Sequence, residues 1–257
     1  MQVATNPAHQ PTWFTVAGSK VLVRAVVIDF DGTICPQDVS EEILQAFAPP
    51  EWWDIDLEFQ RGEIGSRECL IRQAALLSGG QEEMLHYAIE HFPLEPSFAP
   101  FVAWARERGI EPAVASDGMG FYVEPMLRAG GVQGLPVLTN AAGPGGPANG
   151  FTFPSGHPVC VGCGTCKMRI VQGYRERVGP VAFVGEGHTD RYGALYSDVV
   201  FAKKHLPEIC RADGVPFLPW ETFDDVRLGL ESLRELPGPV APAVCPGWTI
   251  PGGGKGI

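Results

Sequence analysis

Residues 21–30 read VLVRAVVIDF, a nearly unbroken β-branched run with no polar alternation. Such a run suits a central parallel strand covered on both faces and does not suit a sheet with one wet face. Later segments must then supply covering helices. The run ends in DFDGT (29–33), which pushes two carboxylates, one residue apart, into a glycine turn. Like charges that close resist joint ionisation unless a cation or hydrogen bonds compensate them. A plain turn is satisfied by Asn-Gly or Ser-Gly without that repulsion. The stretch therefore calls for a metal ion.

The remaining sequence alternates as a wound sheet requires. Helical spacing is carried by EEILQAF, WWDIDLEFQ, RECLIRQAALL and EEMLHYAIEHF, with no strand among them, which predicts a helical insert over 39–96. SFAPFVAWARERG predicts a helix capped by Ser97 and stopped by Gly109. Strands are predicted at 112–116, 136–140, 180–185 and 198–202, with a brief FTF strand inside the Gly/Pro-rich stretch 141–166. Helices are predicted in GFYVEPMLRAGG, KMRIVQGYRERVG and DRYGALYS. The fold class expected is α/β, a doubly wound and mostly parallel sheet of Rossmann-like type, with its core in 18–38 and 97–236. Residues 1–17 read as a loose leader, and 237–257, rich in Pro and Gly, as a flexible tail.

At 257 residues and 45% apolar content the chain supports one sizeable core with a small appended module. Its formal charge of −11 argues against nucleic acid or an anionic membrane as partner, while a local cluster of metal and lysine still admits a small anion. No segment has the apolar length of a membrane span, and MQVATNPAHQPTW lacks the features of a signal peptide. The seven cysteines, odd in number and with three in one loop, do not read as a secreted disulfide framework, so a reduced, cytoplasmic setting is expected. Nothing in the sequence bears on oligomeric state.

Ligands of a wound sheet bind beyond the carboxyl ends of its strands. Asp29 and Asp31 follow the first predicted strand, Ser116, Asp117 and Gly118 the next, and Glu186, Gly187 and Asp190 a later one; Lys167 starts a helix. Four of these acids (Asp29, Asp31, Glu186 and Asp190), a hydroxyl and an ammonium thus converge on one rim, and oxygen donors of this kind suit Mg²⁺.

These residues resemble the four motifs of the haloacid dehalogenase-like hydrolases, over about 22–230. The first, D-x-D-x-T, is matched by Asp29, Asp31 and Thr33; Ser116 matches the second, Lys167 the third, and Glu186 with Asp190 the fourth. The helical insert occupies the position of that family's type-1 cap, which is shared by the phosphoserine phosphatases. FAPPEWW (47–53), SDGMGFYVEPML (116–127) and the cysteine-bearing stretch before Lys167 resemble the methionine-salvage phosphatases that act on 2-hydroxy-3-keto-5-methylthiopentenyl-1-phosphate.

The resemblance implies a phosphatase acting on a small phosphorylated metabolite. Asp29 is the expected nucleophile, forming an aspartyl-phosphate. Asp31 is the expected acid and then base. Mg²⁺ is expected on the Asp29 carboxylate, the Asp31 carbonyl and Glu186, with Asp190 orienting its waters. Ser116 and Lys167 are expected on phosphoryl oxygens, completed by backbone N–H groups near Gly32, Asp117 and Gly118. Glu186 departs from the family's usual Asp, and its extra methylene predicts retained but weaker Mg²⁺ dependence. A phosphoserine or other small-metabolite phosphatase, or a weak phosphometabolite binder, is the alternative.

Further candidates are Asp38, Arg67 and Arg72 as substrate contacts in the insert. His157, Cys160, Cys163 and Cys166, spaced as H-x₂-C-x₂-C-x₂-C, either hold a structural Zn²⁺ or are small semi-buried residues of a glycine-rich loop. Tyr122 and Phe121 read equally as pocket wall or core.

Overall fold

The computed structural model describes residues 21–242 together with Cys245 and Gly247. The leader expected at 1–17 and most of the tail expected at 237–257 lie outside the described residues.

The strands are β1 (Ala25–Ile28), β2 (Glu111–Ala115), β3 (Val137–Leu138), β4 (Ala141–Ala142), β5 (Phe151–Thr152), β6 (Val181–Gly185), β7 (Val199–Ala202) and β8 (Leu218–Pro219). Six of them form one sheet in the order β3-β2-β1-β6-β7-β8, every neighbouring pair parallel. β4 and β5 pair separately as an antiparallel ribbon. β1 sits centrally and is fully buried, and its side chains alternate between two cores: Val26 and Ile28 face one, Ala25 and Val27 the other. That two-sided burial is the reason the run has no polar alternation. β6 splits in the same way, with Ala182 and Val184 opposite Val181 and Phe183.

Helices α1 (Val39–Phe47), α2 (Trp52–Gln60), α3 (Ser66–Ala74) and α4 (Gln81–His91) lie in sequence between β1 and α5 (Phe98–Glu107). They are followed by α6 (Val123–Ala129), α7 (Lys167–Val178), α8 (Arg191–Tyr196), α9 (Leu206–Asp213) and α10 (Phe223–Ser232). The first core takes Phe98 and Phe101 of α5, Met126 of α6 and Phe223 of α10, and the second takes Val171 of α7 and Leu206 of α9. Ile55, Ile64 and Cys69 form a small third cluster between α2 and α3.

One local expectation is corrected. Ser97 precedes α5 but makes no side-chain cap; its hydroxyl donates to Glu95 (2.5 Å) and accepts from the Phe223 amide (2.9 Å), tying α5 to α10 instead. In the described part of 237–257 the Gly238 amide donates to the Asp198 carbonyl (3.1 Å), and the Tyr196 hydroxyl donates to the Pro242 carbonyl (3.2 Å). No described helix is long and apolar enough to cross a membrane.

Candidate active site

Parallel strands end at one rim, so Asp29 after β1, Ser116 after β2 and Glu186 after β6 are brought together although they are far apart in sequence. The first turn needs its glycine. Gly32 has φ +72°, and a Cβ there would run into the Glu186 side chain and the Lys204 ammonium. The space left by that missing Cβ accommodates the extra methylene of Glu186.

Lys167 opens α7 and is 1% exposed, with its ammonium donating to Asp29 Oδ1 and Asp190 Oδ1, each at 2.6 Å. A third bond at 3.2 Å reaches the Thr189 hydroxyl. Burial alone would lower the Lys167 ammonium, but the Asp190 and Asp29 carboxylates outweigh it and hold the group above its ordinary value. Asp190 Oδ2 accepts from the Glu186 amide (2.8 Å) and the Gly187 amide (3.0 Å). Burial, then Asp190, pushes the Asp29 carboxyl up, against the pull of Lys167. Burial, then Asp190, also raises Glu186.

Asp31 faces a different set of partners. The Tyr122 hydroxyl stands 2.8 Å from both of its carboxylate oxygens, the Ser116 hydroxyl donates at 3.2 Å, and the Val39 amide at 3.1 Å. Burial, with the charge of Asp38 beside it, pushes the Asp31 carboxyl up to about 7 while these donors oppose the rise. Ser116 Oγ accepts from the Gly118 amide (3.2 Å). The Asp117 side chain accepts from Ser66 Oγ (2.5 Å) of α3 and from the Thr165 amide (2.6 Å), tying the insert and the cysteine loop to the rim.

A cavity of about 380 Å³ opens above these groups. Asp29, Asp31, Asp117, Gly118 and Glu186 line its floor, while Ser116, Lys167 and Asp190 stand directly behind. The insert supplies apolar Leu44, Trp52, Phe59 and Leu70 and acidic Asp38, Glu41 and Asp56. Lys204, not anticipated from sequence, lines the rim, 3.5 Å from Glu186 and 3.1 Å from the Pro36 carbonyl. Ser40 was also not anticipated, because a serine in a helical segment carries no chemical signature, and Tyr122 reads in sequence only as pocket wall or core.

One expectation fails here, and of the two readings left open for the cysteine loop the structure favours the second. Arg67 and Arg72 do not reach the cavity: Arg67 Nε donates to the Cys163 carbonyl (3.1 Å) and its guanidinium stacks on Phe153, while Arg72 is bidentate to Glu58 (2.6 and 2.7 Å). The cysteine loop is no preformed zinc site. His157 Nδ1 accepts from the Val159 (3.2 Å) and Cys160 (2.9 Å) amides, and burial raises the Cys166 thiol to about 11. Among the described residues no three His, Cys, Asp or Glu side chains are grouped as ready ligands to an ion. For the rim acids the reason is visible, since Asp29 and Asp190 turn to Lys167 and Asp31 to Tyr122. Their chemistry nevertheless fits a hard divalent cation, because the carboxyl groups of Asp29, Asp31, Glu186 and Asp190 gather at one rim with only Asp29 and Asp190 paired to the buried ammonium, and all donors are oxygen.

Comparison with known proteins bears on the family and the fold. The family model for haloacid dehalogenase-like hydrolase matches residues 26–150. A 2-hydroxy-3-keto-5-methylthiopentenyl-1-phosphate phosphatase of Brevibacillus brevis is 30% identical over 220 residues, covering 84% of this chain and 98% of the relative. One of the same name from Geobacillus kaustophilus is 31% identical over 211 residues, covering 81% and 96%. Among solved structures, a phospho-aspartyl intermediate analogue of phosphoserine phosphatase superposes with a TM-score of 0.62 at 18% identity, over 82% of this chain and 99% of that one, a likeness of fold. Spanning such relatives almost end to end, the chain belongs to the haloacid dehalogenase-like hydrolases and is a phosphatase of that family.

Proposed function

We propose that this phosphatase uses Mg²⁺ and hydrolyses a small phosphomonoester through phosphorylated Asp29, with the methionine-salvage enol phosphate as its substrate. The observation that carries the reading is the floor of the cavity, where Asp29 is held by Lys167 at 2.6 Å beside an Asp31 carboxyl raised to about 7. Asp29 attacks phosphorus, and the bond from phosphorus to the leaving oxygen breaks as Asp31 gives that oxygen its proton. Asp31, now a carboxylate, takes a proton from water as the water attacks phosphorus and frees Asp29. A group that must act as acid and then base works best with a pKa near the working pH. Lys167 and Ser116 are assigned to the phosphoryl oxygens.

Asp29, the Asp31 carbonyl and Glu186 would hold Mg²⁺, with Asp190 behind them, and the ion would neutralise charge on the transferring phosphoryl group. Helices α1–α4 act as a cap that excludes bulk water and selects the substrate. The thiols at Cys35, Cys69 and Cys210 suit a reducing, cytoplasmic setting.

Substrate choice follows from the cavity wall. Leu44, Trp52, Phe59 and Leu70 offer an apolar surface of the kind a methylthio tail would fill. Asp38, Glu41 and Asp56 would repel a second carboxylate, and no arginine lines the cavity among the described residues. Both features disfavour phosphoserine. With Mg²⁺ the protein should release phosphate from p-nitrophenyl phosphate and prefer the enol phosphate to phosphoserine. Asp29→Asn should lower kcat by about 10³-fold or more while the fold, read by circular dichroism, stays intact. Full turnover by Asp29→Asn, or a preference for phosphoserine, would refute the respective half of the reading.

A further inference from the structure

We propose that Tyr122 is a positioning residue for the leaving-group acid, holding the Asp31 carboxyl in place through a directed relay from the Met119 amide by way of Ser40. The inference rests on the role given to Asp31 above, and its test separates the two.

The direction of the relay follows from the donors. A backbone amide can only donate, so the Met119 N–H at 3.3 Å makes Ser40 Oγ an acceptor. The Ser40 proton is then available to the Tyr122 oxygen, 2.7 Å away. That leaves the Tyr122 proton for Asp31, where the hydroxyl stands at 2.8 Å from each carboxylate oxygen. Bonds chained in one direction polarise one another, and each link is stronger for the one behind it.

Tyr122 is well placed to orient Asp31 and badly placed to touch substrate. It is fully buried and does not line the cavity, whereas Asp31 and Ser40 do. Its ring packs against Phe30 and Phe121, with centroids at 5.9 and 5.3 Å, so the hydroxyl has little freedom to move. A second observation points to the same cluster. A Cβ added at Gly118 would stand within 3 Å of Tyr122 Oη, Asp31 Oδ2 and Ser40 Oγ together. Three segments, from β1's turn, α1 and the start of α6, thus converge on a position where only glycine leaves room. Ser116 and Val39 also donate to Asp31, but each reaches a single oxygen and at longer range, whereas Tyr122 faces both.

A residue that merely supports the fold would affect every substrate alike. One that aims a general acid matters in proportion to how much the leaving group needs a proton. The test therefore compares kcat/KM, which stops at departure of the leaving group, for p-nitrophenyl phosphate and phenyl phosphate. Tyr122→Phe should raise the ratio of the two by about tenfold, through selective loss on phenyl phosphate. Ser40→Ala, which cuts the relay without touching the aromatic packing, should move the ratio the same way by a smaller factor. In an Asp31→Asn background Tyr122→Phe should leave the ratio where Asp31→Asn alone puts it, since the two act as one unit. Equal losses on both substrates in Tyr122→Phe, or an unchanged ratio in Ser40→Ala if the first variant does not fold, would overturn the proposal. An Asp31→Asn ratio equal to wild type would instead remove the acid role on which it rests.

Discussion

Lys167 occupies a place that opposes its charge twice over. It stands at the first position of α7, where the helix dipole repels a cation, and it is almost entirely buried. Only the paired bonds to Asp29 and Asp190 compensate, so the lysine and the two acids form one unit. Lys167→Met should then lower stability by about 3 kcal/mol or more in urea denaturation at pH 7, because two carboxylates are left buried without a counter-charge. The sign with pH is set by those acids. Burial already raises Asp29, and without the ammonium its folded value stands higher still above the unfolded one. The cost is therefore present where the carboxyls are ionised in the unfolded chain, and it should shrink as pH falls from 7 toward 4. A penalty that grew on acidification would contradict this assignment. Asp29, Ser116, Lys167, Glu186 and Asp190, which meet at the rim, were readable as chemical candidates in sequence because each follows a strand end or starts a helix in a fixed order. Tyr122 was not, since its partner Asp31 lies 91 residues away and its own segment looks like ordinary core.

At the scale of elements, α1 joins structure to site through the residue that caps it. Asp38 is its N-cap, accepting from the Glu41 amide at 3.0 Å, and the same carboxylate lines the cavity wall. The two roles separate by substitution. Asp38→Ala should lose the cap and about 1 kcal/mol of stability, whereas Asp38→Asn should keep most of it. If the charge also screens out acidic substrates, both variants should narrow the preference for the enol phosphate over phosphoserine, measured as a ratio of kcat/KM. A preference unchanged in both would remove Asp38 from specificity. The elements themselves were readable where period and burial coincide. The apolar runs at β1 and β6 and the four helices of the insert all declare themselves. β4 and β8, which were not anticipated, span two residues each, too few to display a period, and only their strand partners define them; β3 and β5 are as short but fall inside the strands expected at 136–140 and in FTF. The cysteine loop misled for a related reason. Ligand spacing in sequence says nothing of where His157 spends its nitrogen, and it accepts amides of its own loop.

For the molecule as a whole, the rim gathers four carboxyl groups, of which Asp29 and Asp190 pair with the buried Lys167 and Glu186 lies near Lys204, in a chain whose formal charge is already −11. Folding therefore brings together negative charge that the unfolded chain keeps apart. Burial, with Asp190 next in effect, raises both Asp29 and Glu186, which is the same repulsion expressed as proton affinity. A divalent cation that binds only the folded rim relieves it and must stabilise the fold by mass action. At ten times its dissociation constant Mg²⁺ should add about 1.4 kcal/mol, which for a chain of this length raises Tm by roughly 3–5 °C. Sodium chloride at matched ionic strength screens the surface but does not enter the site, so it should give a smaller shift. Glu186→Gln removes the charge of a proposed ligand while leaving Lys167 paired with Asp29 and Asp190, and should therefore lose most of the Mg²⁺-specific shift without losing the fold. The readout is thermal unfolding in the absence of substrate, independent of turnover. An equal shift with both salts, or a full Mg²⁺ shift in Glu186→Gln, would place the cation elsewhere and leave the four carboxyls compensated by hydrogen bonds and lysine alone.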